Sequence, residues 1–247
     1  MSQLTLTQVA EVAATKESDW GRLCKLGGIV AWIQLACVLL MMVYVPLIGW
    51  LPTTAEAYYT TLQNDGLVGI LRLDLATLIL VSLFPFVSVG LYAAFRRSRP
   101  AYALLALVMI LTGTLLALVN ESAFSMMYLS DLHAAATTAA QQEQLLTAGE
   151  AVIAGNMWNS TAGFLAGIFM QGGFVFISFV MLRDKRFSRF TAYSGILSNG
   201  LDLIHVPLML VWPGLAATLL AIGGVFYLIW FPLLGRDLYS LGRGASK

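Results

Sequence analysis

Leu26–Trp50 reads LGGIVAWIQLACVLLMMVYVPLIGW, 25 consecutive residues without an Asp, Glu, Lys or Arg. Coiled as a helix rising about 1.5 Å per residue, the stretch is about 37 Å long, enough to cross the roughly 30 Å hydrocarbon core of a bilayer. Lipid offers no partner to an unpaired backbone N–H or C=O, so a helix is the form such a segment must take. Five more stretches of the same character follow: Leu67–Phe95, Ala101–Ser130, Ala151–Leu182, Phe190–Trp212 and Gly214–Leu234. The third and fourth exceed what a bilayer needs and are expected to tilt or to project from it. Composition agrees, since 59% hydrophobic and 11% charged residues with a mean hydropathy of +0.80 exclude a soluble domain of 247 residues. The chain reads as an all-α membrane protein, a bundle of six transmembrane helices. Residues 1–25 form an N-terminal segment, 26–234 the transmembrane domain (26–50, 67–95, 101–130, 151–182, 190–212 and 214–234), and 235–247 a tail.

The charges then orient the bundle. Of the 14 Lys and Arg residues, all but Arg72 fall in the N-terminal segment, the second and fourth connections, and the tail. The first connection carries Glu56 and Asp65, and the third carries Asp131, Glu143 and Glu150, with no basic residue in either. Cytoplasmic loops are the ones enriched in Lys and Arg, so both termini are expected in the cytoplasm. The N-terminal segment lacks the basic start of a signal peptide and the first apolar stretch has no small-residue cleavage pattern, so that helix is expected to be retained. Sorted charge with a formal net of +1 argues against nucleic acid as a partner and leaves the lipid bilayer as the evident one.

Ionisable groups within the spans are costly and point to function by default. Counting inward from the outer helix ends, Asp74 and His205 lie about 10 Å deep and Glu121 and Asp202 about 14–15 Å deep, all in the outer half together with Arg72. Asn156 and Asn159 enter at the same level from the fourth span. On the fifth span Ser194, Ser198, Asp202 and His205 recur at helical spacing, and on the fourth Asn156, Ser160, Gly163, Gly167 and Gln171 do so. Such faces point at protein rather than lipid. Their expected convergence gives an outward-facing polar pocket for a small or amphipathic ligand, lined by Arg72, Asp74, Glu121, Asn156, Asn159, Asp202 and His205. A second reading of the same residues is a packing device, in which polar groups serve helix association and Arg72 snorkels to the headgroups.

No catalytic residue, metal site or cofactor is expected. The Asp202–His205 pair could join Glu121 and Asp74 as a mixed oxygen and nitrogen set, yet His133 is the only other histidine and sits at the outer interface. A multi-histidine hydrolase centre cannot be assembled. Gly-rich phosphate loops and paired-cysteine motifs are missing as well. Cys24 and Cys37 lie about 20 Å apart along one helix and are expected to be free thiols.

The segments Asp19-Trp20-Gly21-Arg22-Leu23 leading into Gly27-Gly28, Leu83-Phe84-Pro85 before Gly90-Leu91-Tyr92, Ala134–Gly149 followed by Glu150, Val180–Arg183 leading through Phe187-Ser188-Arg189 into Thr191–Leu197, and Leu228-Ile229-Trp230 with Gly235-Arg236 and Leu241–Gly244 occur in this order. In that arrangement the chain resembles bacterial membrane proteins of the domain-of-unknown-function 4386 family, over nearly its whole length. The resemblance implies a multi-helix protein of the bacterial inner membrane and assigns neither substrate nor catalytic residue.

Three function classes follow. The favoured one is a non-catalytic membrane protein that binds a small-molecule or lipid ligand in the outer pocket or serves as the membrane partner of other proteins. The second is a proton- or cation-coupled transporter element using Glu121, Asp202 and His205, against which stands a cytoplasmic half that offers few polar groups. The third is an intramembrane metal-dependent hydrolase, which the shortage of histidine disfavours.

Overall fold

The computed structural model describes residues 6–49 and 51–244, with the side chains of 19–49, 51–72 and 75–244. Its elements are α1 (Leu6–Ile48), α2 (Ala55–Asn64), α3 (Gly66–Ile70), a π-helical turn (Leu71–Leu75), α4 (Ala76–Ser82), α5 (Phe84–Phe95), α6 (Pro100–Val119), α7 (Ala123–Ala135), α8 (Ala139–Ala154), α9 (Thr161–Met181), α10 (Arg189–Val211) and α11 (Pro213–Gly242). There is no strand among the described residues. Six helical segments are long and apolar enough to cross a membrane: Asp19–Ile48, Ala76–Phe95, Pro100–Ala135, Thr161–Met181, Arg189–Val211 and Pro213–Gly242. The chain is a multi-pass, all-α membrane protein.

The spans close into a ring in which each packs on its neighbour in sequence, α1 on α5, α5 on α6, α6 on α9, α9 on α10 and α10 on α11, and α11 returns to α1. The closing seam is made by glycines. A Cβ on Gly28 would meet the Gly235 carbonyl oxygen at 2.7 Å, and one on Gly21 would meet that of Gly242 at 3.1 Å, so two pairs seven residues apart let the antiparallel backbones touch. Without a hydrophobic drive between helices in lipid, such close approach is what association relies on. Inside the ring Phe174 of α9 meets Phe84 of α5 at a tilt, with centroids 5.0 Å apart, and Trp230 of α11 edge to face at 5.4 Å. All three are buried. Leu40, Val43, Leu47, Leu115, Val119, Leu210 and Val211 face outward and are exposed, as lipid-facing side chains are.

The second span is interrupted. Pro85 cannot donate a ladder bond and sits in the first turn of α5, which ends α4 at Ser82. At this break the fully buried Gln34 of α1 donates to the Leu80 carbonyl (3.3 Å), which also accepts the Leu83 N–H (3.3 Å).

The two ends of the bundle differ. At the basic end Arg186 clamps the connections, donating to Asp184 (2.6 Å) and to Ser98 (2.9 Å) while its guanidinium lies 5.6 Å over Phe95. Arg96 lies 4.4 Å over Trp20. Asp237 of α11 receives the Ser188 N–H and the Thr191 hydroxyl, which fixes the start of α10. At the acidic end α2, α7 and α8 form a cap around a small core of their own: Tyr58, Tyr59, Ala123, Met126 and Ile153. Glu150 of α8 accepts the Ala55 N–H (2.7 Å) at the start of α2, and Tyr59 donates to the Leu145 carbonyl (2.8 Å). Burial and the Glu150 carboxylate push the Tyr59 hydroxyl above the usual tyrosine range, so it stays a donor.

Several helix ends fall away from the apolar stretches. Ala151–Ala154 complete α8, and the fourth span starts at Thr161, ten residues after the expected Ala151, because Asn156 and Ser160 turn the chain between the two helices. The second span starts at Ala76, after α3 and the π turn, and α11 continues to Gly242. The first connection contains α2.

Candidate functional site

Two polar centres emerge, and they do not share a residue. The first lies at the acidic end, beneath the cap. The α8–α9 linker folds around Asn156, whose Oδ1 accepts the N–H groups of Trp158 (2.9 Å) and Asn159 (3.1 Å). Asn159 in turn donates to the Ile153 carbonyl (3.0 Å). The Met157 N–H reaches the Asn120 carbonyl (2.9 Å), which ties this linker to the break between α6 and α7. The result is a cavity of about 550 Å³ lined by Leu51, Pro52, Thr53, Tyr58, Glu150, Ile153, Ala154, Asn156, Trp158 and Asn159. A smaller one of about 220 Å³ adjoins it through Asn156 and includes Asn120, Glu121, Ser122 and Ser125.

The second centre lies deep in the bundle. Gln171 is ten residues from either end of α9, about 15 Å from each, which is mid-bilayer. Its amide donates to Asp202 Oδ2 of α10 (3.3 Å). Tyr227 of α11 donates to the same oxygen at 2.7 Å and has Gln171 Oε1 and Asn199 Oδ1 each at 3.2 Å. Asn199 donates to the Gly195 carbonyl (2.9 Å) and Ser198 Oγ (3.1 Å). All of these side chains are buried. Asp202 Oδ1 has no hydrogen-bond partner, and it points at Gly223, whose absent side chain leaves it room.

No family model, curated protein or solved structure matches the chain. Function therefore rests on geometry.

The seven residues expected to share one pocket divide as follows. Asn156 and Asn159 line the large cavity, and Asn156 and Glu121 the small one. Glu121 Oε1 also accepts the Ser122 (3.0 Å) and Ala123 (3.3 Å) N–H groups, capping α7 at the break. Arg72, on the π turn, reaches toward the cap, donating to Thr61 Oγ1 (3.5 Å) of α2 and lying against Gly49, at the end of α1. Gly49 has φ +90°, a conformation that glycine adopts without strain. The Asp74 side chain lies outside the described residues. Asp202 and His205 are in the other centre, His205 Nδ1 being 3.3 Å from the Asp202 backbone oxygen. Among the described residues no three His, Cys, Asp or Glu gather as a metal site would require. Both cysteines are free.

Asn199, Tyr227 and Asp237 were not singled out from the sequence. Their signal is periodicity: Gly223, Tyr227, Trp230, Leu234 and Asp237 recur at intervals of four, three, four and three and are all buried, one face of a helix. Thr191, Ser194, Ser198 and Asn199 likewise line the buried face of α10 between Asp237 and Asp202. The half of the bundle toward the basic end thus carries more polar groups than the sequence suggested.

Proposed function

We propose that this protein sits in the bacterial cell membrane with its basic end and both termini in the cytoplasm, and binds a small amphipathic molecule, without chemistry, in the cavity beneath the α2–α8 cap. The observation that carries this reading is the cavity itself. Its volume of about 550 Å³ lies in the range that small-molecule sites occupy. One part of its wall is apolar (Leu51, Pro52, Ile153 and Trp158) and another polar (Glu150, Asn156 and Asn159), the pairing that an amphiphile's tail and head require. The positive-inside rule supports the orientation, and the resemblance to the domain-of-unknown-function 4386 family supports the bacterial membrane.

Native mass spectrometry of the protein released from mild detergent tests the binding. A co-purifying amphiphile is expected on the wild type and not on Ile153→Trp, which fills the cavity. Wild type carrying no adduct, or an adduct indifferent to the substitution, would remove the proposal. A second reading, a proton- or cation-coupled transporter element, draws support from the mid-bilayer Asp202 centre. Pumping or flux in liposomes abolished by Asp202→Asn would favour it over simple binding.

A further inference from the structure

Hydrogen bonding in the mid-bilayer centre is short of hydrogen. Three oxygens surround the Tyr227 hydroxyl, Asp202 Oδ2 at 2.7 Å and Gln171 Oε1 and Asn199 Oδ1 at 3.2 Å, and that hydroxyl has one proton to give. Asp202 Oδ1, on a side chain 7% exposed, accepts none. Turning the amides does not cure the shortage. With Gln171 reversed its oxygen would face Asp202 Oδ2, where its nitrogen now donates at 3.3 Å. With Asn199 reversed its oxygen would face the Gly195 carbonyl, where its nitrogen now donates at 2.9 Å. Either turn sets two acceptors against each other.

Charge is unbalanced in the same place. Helix α10 packs on α9 and α11. From α9 Asp202 meets the neutral Gln171, from α11 it meets Tyr227, and along α10 it has His205, whose Nδ1 approaches the Asp202 backbone oxygen. Among the described residues no Lys or Arg forms an ion pair with it. An ionised carboxylate without a partner in the middle of a bilayer is costly. One added proton cancels the charge and eases the shortage: on Asp202 Oδ2 it donates to Tyr227 Oη, whose own hydrogen is then released to Gln171 or Asn199, and Oδ1, now part of a neutral carboxyl, costs less to leave without a donor.

We propose that Asp202 is a proton-binding site at the core of the bundle, taking one proton from water as the closed Gln171–Asn199–Tyr227 centre forms. Binding makes one O–H bond at the carboxylate and changes its charge from minus one to zero. This does not depend on the cavity under the cap.

Infrared spectroscopy of the protein in nanodiscs, wild type minus Asp202→Asn, reads the site directly. The expected result is a protonated-carboxyl C=O stretch at neutral pH that is absent from Asp202→Asn, moves in Tyr227→Phe as its hydrogen-bond partner is lost, and bleaches at alkaline pH. Should Asp202→Asn not fold, Asp202→Glu serves: the band should shift and not vanish. A spectrum with no protonated-carboxyl difference at neutral pH would overturn the proposal. So would a carboxylate band there that responds to sodium chloride but not to choline chloride, which would assign the site to a metal cation.

Discussion

Gly223 of α11 faces the Asp202 carboxyl, and its neighbour Gly224 faces nothing, which makes the pair a calibrated probe of the mid-bilayer centre. A methyl at position 223 would sit 2.9 Å from Asp202 Oδ1, with the Ser198 carbonyl oxygen at 3.4 Å and Leu201 Cβ at 3.5 Å; one at 224 would have no neighbour within 4 Å. The last two distances at 223 are ordinary contacts, so the conflict is with the carboxyl oxygen by a few tenths of an ångström. Asp202 cannot swing clear without loosening the bonds that Oδ2 receives from Tyr227 and Gln171. Both substitutions gain roughly 0.8–1.0 kcal/mol of helix propensity, and Gly223→Ala alone adds an overpacking cost of about 1–3 kcal/mol. Gly224→Ala is therefore expected to stabilise by about 1 kcal/mol, with Gly223→Ala lying about 1–3 kcal/mol below it. Equilibrium unfolding by SDS titration in mild detergent, followed by far-UV circular dichroism, measures the gap. Repeating Gly223→Ala in an Asp202→Ala background should close it, because the obstructing oxygen is gone. Equal stabilities for the two alanine variants, or a gap that survives in the Asp202→Ala background, would refute the placement of Asp202 against α11.

Gly28→Ala puts a methyl 2.7 Å from the Gly235 oxygen and 2.8 Å from the Tyr239 nitrogen, both backbone, so α1 and α11 must part. A cost of about 1–3 kcal/mol, or a Tm lower by roughly 2–12 °C, is expected in thermal melts, with Gly214→Ala as the unobstructed control; equal melts would contradict the seam. Glu150→Ala removes the acceptor for the Ala55 N–H at about 0.5–2 kcal/mol, and hydrogen exchange should speed up over the first turn of α2 and not over α9. The Arg186 hydrogen bonds hold the Asp184 carboxyl below the usual carboxylate range. Its contribution is thus present above the unfolded carboxyl's value and is lost as pH falls through the lower folded one. The stability difference between wild type and Asp184→Asn should stay level down to about pH 5 and close only below about pH 4; a difference that grows with acid would reverse the assignment.

The six spans were legible because 20-residue apolar runs have few other homes than a bilayer, and the fold confirms them. Their ends were less so. Asn156 and Ser160 read as polar positions on a helix face, whereas Asn156 gathers three backbone and side-chain donors of its own linker and Ser160 caps α9; local hydrogen bonding competes with the helix wherever such residues stand. The stripe through Ser198, Asp202 and His205 was visible as a period, and all three are buried. Its partners Gln171 and Tyr227 come from other spans, and which faces meet across a ring is a property of packing that one helix does not encode. The division of polarity between cap and core was unreadable for the same reason. Glu121 and Asp202 stand at similar computed depths in their spans, yet one caps a helix under the cavity and the other closes a bond network between α9, α10 and α11.

Where the cavity opens decides what it can bind. In a Cys24→Ser, Cys37→Ser background, Asn159→Cys on its wall and Lys185→Cys at the basic end both carry exposed positions that a membrane-impermeant maleimide can report. In intact spheroplasts Asn159→Cys should label and Lys185→Cys should not, with both labelling after lysis. Labelling of Lys185→Cys alone before lysis would put the cavity on the cytoplasmic face and contradict an outward-facing binding site.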